Sequence, residues 1–390
     1  MISDKTVREI IKKYDTPLFV FDEAELMSRA LSIKSILGPD IKLTFSVKAN
    51  AFLVSALKST VDYFEICSPG EFFLCKNVGV PPEKMLYSGV HKDFWDIREA
   101  VSYGAAVITA ESKQHFENIC RAAAETGRKP DVILRLTSGN QFGMSREDIE
   151  EILAGDSSDV NIAGIHYFVG TGRNKLKKQR EELEMLDGLI SDLKGRYAHE
   201  LSFFEYGPGL PVPYFIDEDF TDTLAPLKEL SDVLHDLSGK YTLSVEMGRF
   251  LAASCGYYAT SVCDIKTSKG IKWCIVDGGI NHVNYLGQML GMKIPVIRHY
   301  SKDERVDDEG GESTTVCGSL CTVNDVLIRS LPLKDPCVND VLVFENIGAY
   351  SVTEAPALFL SRPLPKVVML RDGLSVPVRD KKETWELNTP

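Results

Sequence analysis

Short apolar, β-rich runs and longer amphipathic stretches take turns along the first two-thirds of this 390-residue chain. Candidate strands read Leu43–Val47, Asp62–Ile66, Lys84–Tyr87, Ala105–Thr109, Val132–Leu136, Ile162–Phe168, Ser202–Tyr206 and Thr242–Glu246. Between them, segments such as Ser112–Glu125 and Lys177–Leu193 carry apolar residues at three- and four-residue spacing, the mark of amphipathic helices. Eight strands alternating with helices predict an α/β fold, a (β/α)₈ TIM barrel. An open doubly wound sheet is the competing arrangement. Polar and glycine-rich punctuation directly after many separate strands favours the barrel, whose active sites are built at strand C-termini.

After about Gly256 the texture changes. Strand-like segments at Tyr257–Ile265, Ile271–Val276, Val341–Phe344 and Lys366–Leu370 follow one another without helices, which predicts a mainly antiparallel β domain. The segment TPLFVFDEAEL near the start, an X-Pro step and an apolar run, is expected to add a strand to it. The expected division is a barrel over residues 22–255 and a β domain from residues 1–21 and 256–390. Ser301–Ser313 (SKDERVDDEGGES) reads as a solvated loop.

Composition narrows the function classes. Hydrophobic residues at 44% and charged residues at 26% suit a soluble globular protein. A formal net charge of −12 argues against nucleic acid, whose phosphates require clustered Lys and Arg. The amino terminus lacks the apolar core of a signal peptide, and no window approaches the roughly 18 apolar residues that cross a bilayer. Nine cysteines, odd in number and scattered through apolar runs, suit a reducing compartment, so a cytoplasmic location is expected. Cys317 and Cys321 are the one close pair, with no second pair beside them, so no metal site is expected.

Several residues could carry chemistry. Lys48 ends an apolar run (Leu43-Thr-Phe-Ser-Val-Lys48-Ala-Asn50), where a lysine is either a solvated boundary or an amine nucleophile with a lowered pKa. Gly207 and Gly209, in Glu205-Tyr-Gly-Pro-Gly, and Gly170-Thr171-Gly172 follow two separate strands. Each alone suits a plain turn, and together they suit a phosphate. Glu246 and Arg249, three residues apart, pair with each other or divide between a ring nitrogen and a phosphate. His166 and Phe168 face one side of a strand, where a hydrogen-bonded core histidine is the simpler reading.

Taken together, these residues resemble the alanine-racemase-fold pyridoxal-phosphate decarboxylases, the diaminopimelate and eukaryotic-type ornithine decarboxylases. The resemblance runs from TPLFVFDEAEL to GAYSVTEAPALFLSRP. It implies pyridoxal 5'-phosphate as cofactor, with Lys48 holding it as a Schiff base. Glu246 is implied to pair with the pyridine nitrogen, and Arg249, Gly170, Thr171, Gly172, Gly207, Gly209 and Tyr350 to bind its phosphate. Arg135 counts with the cofactor contacts. Cys321 and Asp325, in CGSLCTVNDVL, look like the segment that a partner subunit delivers, so a homodimer with shared active sites acting on a small amino-acid substrate is implied. The catalytic set is then Lys48, Glu246 and Cys321, and the substrate set Cys321, Thr322 and Asp325.

The departures from the family pattern carry information. Phe168 stands where the family places the histidine that stacks on the ring, with His166 two positions earlier, and both are candidates. Thr322 follows Cys321 where the diamino-acid enzymes carry Glu or Asp. Pro208 interrupts the glycine triplet, Met247 replaces a proline, and the segment after Tyr350 is one residue longer. Such changes look more like the decarboxylases of siderophore and other natural-product pathways, which act on larger or conjugated amino acids. An amino-acid racemase on the same fold and a non-catalytic pyridoxal-phosphate carrier or inhibitor protein are the alternative readings.

Overall fold

The computed structural model describes residues 2–302 and 304–390. The chain forms two compact units, one of Arg29–Pro211 with Asp222–Leu251, the other of Met1–Ser28, Val212–Thr221 and Ala252–Pro390. The changeovers therefore fall several residues from the expected 22 and 255, and ten residues in the middle of the sequence join the second unit. The first strand, β1 (Leu18–Asp22), belongs to that second unit.

In the first unit eight parallel strands close on themselves: β2 (Lys42–Ser46), β3 (Tyr63–Ile66), β4 (Met85–Tyr87), β5 (Val107–Ala110), β6 (Asp131–Arg135), β7 (Asn161–Phe168), β8 (Phe203–Gly207) and β9 (Thr242–Met247). Helices on one side and packed side chains on the other bury both faces, which explains near-continuous apolar runs such as that of β5. Local chemistry starts and stops the helices. Ser112 accepts from the N–H of His115 to cap Lys113–Thr126, and Gly127 ends that helix at φ +66°. Ser68 caps Pro69–Asn77, where proline at the first helical position loses no hydrogen bond.

The barrel interior becomes polar towards the strand C-termini. Thr44 and Ser244 hydroxyls lie 2.6 Å apart, and one layer higher the Ser46 hydroxyl donates to Glu246 at 2.9 Å.

The second unit is a sheet of β1, β10 (Gly256–Ser268), β11 (Ile271–Val276), β12 (Ile297–Ser301), β13 (Glu304–Arg305), β14 (Glu312–Cys317), β15 (Val326–Leu333), β16 (Val341–Phe344), β17 (Lys366–Arg371) and β18 (Leu374–Arg379). Its pairings are antiparallel except β1 with β17 and β11 with β14. The helix Asp4–Lys13 lays Val7 and Ile10 into a core with Leu18, Val20, Tyr257 and Val368. The expected loop Ser301–Ser313 is corrected at both ends. Glu304 and Arg305 pair with Tyr300 and Ser301, and Glu312 already belongs to β14. Exposure of β13 on both faces leaves no apolar alternation to reveal it. Asp303, inside that stretch, lies outside the described residues. Among the described residues no helix is long and apolar enough to cross a membrane.

Candidate active site

β2 ends at Ser46 and runs straight into a single 3₁₀ turn, Val47–Ala49, which carries Lys48 at the C-terminal mouth of the barrel. Asn50 then accepts from the N–H of Phe52 at 3.1 Å and opens the next turn. The Lys48 amine reaches Glu65 Oε2 at 2.6 Å and Glu246 Oε1 at 3.3 Å, with Cys67 Sγ 3.6 Å away. His166 Nε2 approaches Glu246 Oε2 at 3.4 Å without a hydrogen bond, and that oxygen is buried without one.

These acids are not equivalent. Burial pushes Glu246 up, but Lys48 and then His166 outweigh it, and the carboxyl is held well below the usual range. Burial and then the Glu246 charge push Glu65 up, with Lys48 opposing. Glu205 lies well above its ordinary value through burial and then Glu246, and neither of its carboxyl oxygens has a hydrogen-bond partner. Like charges crowded in low dielectric cannot all ionise, and Glu246, with Lys48 beside one oxygen and His166 beside the other, keeps its charge. Burial, then Glu65, also pushes the Cys67 thiol well up.

Beside this layer the Arg135 guanidinium donates to Glu111 at 2.8 Å, both side chains being buried. Lys92 is buried near them. Burial lowers it to about 8, against the pull of Glu111.

The structure brings the two glycine-rich turns together. The Arg173 N–H donates to Gly209 O at 2.9 Å, and a Cβ on Gly209 would stand 1.8 Å from Gly170 O. A Cβ on Gly207 would meet the Phe168 ring at 2.4 Å. Phe168 therefore lies against the turn with its ring 5.8 Å from the Lys48 amine, whereas His166 lies fully buried beside Glu246. Arg249 opens a short helix directly after β9 and is buried.

The remaining candidates belong to the β unit. Cys321 is exposed, and Thr322 accepts from the Asn324 N–H at 3.3 Å. Asp325, expected among the substrate contacts, has both oxygens engaged by backbone N–H groups: Oδ1 accepts from Ile280 N, of a distant segment, at 2.8 Å, and Oδ2 from Leu320 N of its own loop at 2.7 Å. Tyr350 adopts φ +70° and ψ −37°, a conformation that L residues rarely take and that clusters at functional sites.

Sequence reasoning passed over Glu65, Glu205, Glu111, Cys67 and Lys92. A signal was present for the first two: in YFEI and FFEYG a lone glutamate interrupts an apolar strand buried on both faces. Among the described residues no cluster of three or more His, Cys, Asp or Glu is arranged to hold a metal ion.

Comparison with known proteins gives a consistent result. The model of the pyridoxal-dependent decarboxylase family, pyridoxal binding domain, matches residues 23–253. The L-glutamyl-[BtrI acyl-carrier protein] decarboxylase of Niallia circulans is 25% identical over 96% of this chain and 93% of its own length. The 2-[(L-alanin-3-ylcarbamoyl)methyl]-2-hydroxybutanedioate decarboxylase of Staphylococcus aureus is 24% identical over 93% of this chain and 97% of its own. Among solved structures, Helicobacter pylori diaminopimelate decarboxylase complexed with L-lysine superposes with a TM-score of 0.85 at 21% identity, covering 98% of this chain and 99% of that one.

Proposed function

This chain belongs to the pyridoxal-dependent decarboxylases, and we propose that it releases CO₂ from an amino acid whose side chain ends in a conjugated arm rather than a free amine. The observation that carries the reading is the lysine at the barrel mouth, its amine 2.6 Å from one buried carboxylate and 3.3 Å from a second.

The barrel residues fit pyridoxal phosphate. Lys48 offers an amine to its aldehyde. Glu246 is held ionised and keeps a buried oxygen without a hydrogen bond, as a partner for a protonated pyridine nitrogen requires. A side chain at Gly207 or Gly209 would strike Phe168 or Gly170 O, so the paired turns are bare backbone that a phosphate can approach, with Thr171 and Arg249 supplying further donors. Phe168 is assigned to the face of the ring and His166 to the orientation of Glu246, with Arg135 beside them. Tyr350 completes the phosphate set in this reading.

When bound, the cofactor supplies the electron sink for the pair that CO₂ leaves behind. Glu246 holds the proton at the pyridine nitrogen. Cys321 or Lys48 delivers a proton to the reacting carbon, a step worth on the order of 10²–10⁴-fold. Asp325 acts as a positioning residue that fixes the Cys321 loop.

The conjugated arm is inferred from Thr322 and Asp325. Neither offers a free carboxylate for a far ammonium, since one is a hydroxyl and the other is committed to two backbone N–H groups. An ammonium left without its anion costs roughly 2–5 kcal/mol. Two relatives act, by name, on a glutamyl group carried on protein and on a hydroxybutanedioate conjugate. The active form is proposed as a homodimer in which the Cys321 loop serves the partner, supported by the exposure of Cys321 and of Val323 at 92%. A reducing, cytoplasmic setting is supported by nine free thiols.

The test is CO₂ release from ornithine, lysine, meso-diaminopimelate and conjugated amino acids, with Thr322→Asp alongside. Preference of the unaltered enzyme for conjugates supports the reading. Efficient turnover of a free diamino acid overturns it.

A further inference from the structure

The loop that carries Cys321 and Thr322 overhangs one end of a cavity of about 670 Å³ that lies wholly within the β unit. That volume is within the range of small-molecule sites. Its floor is the outward face of three paired strands, β11, β14 and β15. Alternation along β11 and β14 turns Cys274 and Val316 into the core and leaves Trp273, Ile275 and Thr315 facing the cavity. Thr322 and Val323 form the overhang, and Arg329 closes the wall.

The lining carries one carboxylate and one guanidinium, and they differ in what they can offer a ligand. Asp325, its one acid, has both oxygens engaged by backbone N–H groups. Lys272 pairs with Glu312 at 3.0 Å. Among the described residues no carboxylate lies within ion-pair distance of Arg329. Lys266 and Asp264, both exposed and opposite Trp273 and Ile275 across the β10–β11 pair, lie outside the lining and offset each other at its edge. Arg329 is thus an exposed cation without an acid partner among the described residues, placed where an aromatic floor and the hydroxyl groups of Ser313, Thr315 and Thr322 also converge. A guanidinium takes carboxylate or phosphate through two parallel hydrogen bonds, and an indole face covers the apolar part of an arm.

We propose that this cavity receives the far end of the substrate, and that this end carries an anion bound by Arg329: a carboxylate of a conjugated acid or the phosphate of a carrier arm. The assignment rests on the decarboxylase reading above and names the substrate class for it.

Binding is read without turnover, so failure here is distinct from failure of the decarboxylase reading. Trp273 is one of three tryptophans, and Trp95→Phe/Trp385→Phe leaves it as the only indole reporter. Titration of this protein with citrate, and separately with pantetheine 4'-phosphate, should change its fluorescence in a saturable way. A response to citrate alone identifies a carboxylate arm, and a response to pantetheine 4'-phosphate alone a phosphate arm. Arg329→Gln should weaken the responding probe at least ten-fold, and Arg329→Lys should recover part of the loss. No response to either probe, or equal affinity in Arg329→Gln, overturns the proposal. So does a Trp273 already shielded from acrylamide by dimerisation, with Arg329→Gln weakening the dimer, since a second copy would then fill the cavity.

Discussion

The Lys48 amine stands 2.6 Å from Oε2 of Glu65, closer than to Oε1 of Glu246 at 3.3 Å. Lys48 is thus shared by two crowded, buried carboxyl groups, of which Glu246 is held ionised, and removing the cation leaves that charge uncompensated beside Glu65. In cofactor-free protein at pH 8, Lys48→Met should cost about 2–3 kcal/mol in urea unfolding. A fully buried pair costs roughly 3–5 kcal/mol, and the Lys48 side chain is 33% exposed. Adding Glu65→Gln should restore at least half of that loss. Strictly additive effects would show that the two side chains do not act as a pair.

Glu205 gives a pH signature. Its folded-state pKa is raised well above its ordinary value by burial and by Glu246, so above about pH 4.5 the folded chain keeps a proton that the unfolded chain releases. The stability this proton lends is present at acid pH and is lost as pH rises towards the folded pKa. Glu205→Gln removes that slope. The urea midpoint of the variant relative to the unaltered protein should climb steadily from pH 5 to pH 8. Parallel profiles would be the contrary result.

Gly209 has φ +58°, and a Cβ there meets Gly170 O at 1.8 Å. Gly209→Ala should lower stability by about 3 kcal/mol and weaken pyridoxal phosphate binding at least ten-fold in equilibrium dialysis. Gly127, at φ +66° with nothing within 4 Å of the added carbon, is the control. Gly127→Ala should lose about 1 kcal/mol and bind the cofactor as before. Equal cofactor affinity in the two variants would remove the Gly170–Gly209 contact from the phosphate site.

Equal mixing of Lys48→Ala and Cys321→Ala proteins should regenerate activity at about a quarter of the sites, because half of the dimers are hybrids with one intact site each. Complete inactivity of the mixture after subunit exchange would place both residues in the same subunit's site.

The barrel was legible from the sequence because parallel strands buried on both faces are written as apolar runs. All eight expected runs fall within two residues of the strands, as between Thr242–Glu246 and β9 (Thr242–Met247). β11 and β16 were legible for similar reasons. Strands β12, β14, β15 and β18 were not: Leu374–Arg379 carries a proline and no fully buried residue, and its pairing with β17 is fixed by the turn before it rather than by its own pattern. At the mouth of the barrel, spacing singled out Lys48 and Glu246 but not Glu65, which lies seventeen residues from Lys48 and meets it only through the pairing of Ser46 with Glu65 across β2 and β3. The commitment of Asp325 was equally invisible, since Ile280 lies forty-five residues away in sequence.

β1 lies in the middle of its sheet, antiparallel to β10 and parallel to β17, where Leu18 registers with Lys366. A ribosome delivers Leu18 first and its parallel neighbour 348 residues later, roughly 20–70 s at ordinary elongation rates. For that whole interval the apolar segment Leu18-Phe-Val-Phe21 has no strand on one side, while the barrel strands, all complete by Met247, are free to close. Vectorial synthesis thus allows the barrel to close before the sheet, and leaves an apolar leading segment with an unpaired edge in the meantime. A β unit separated from residues 2–22 would lack its central strand.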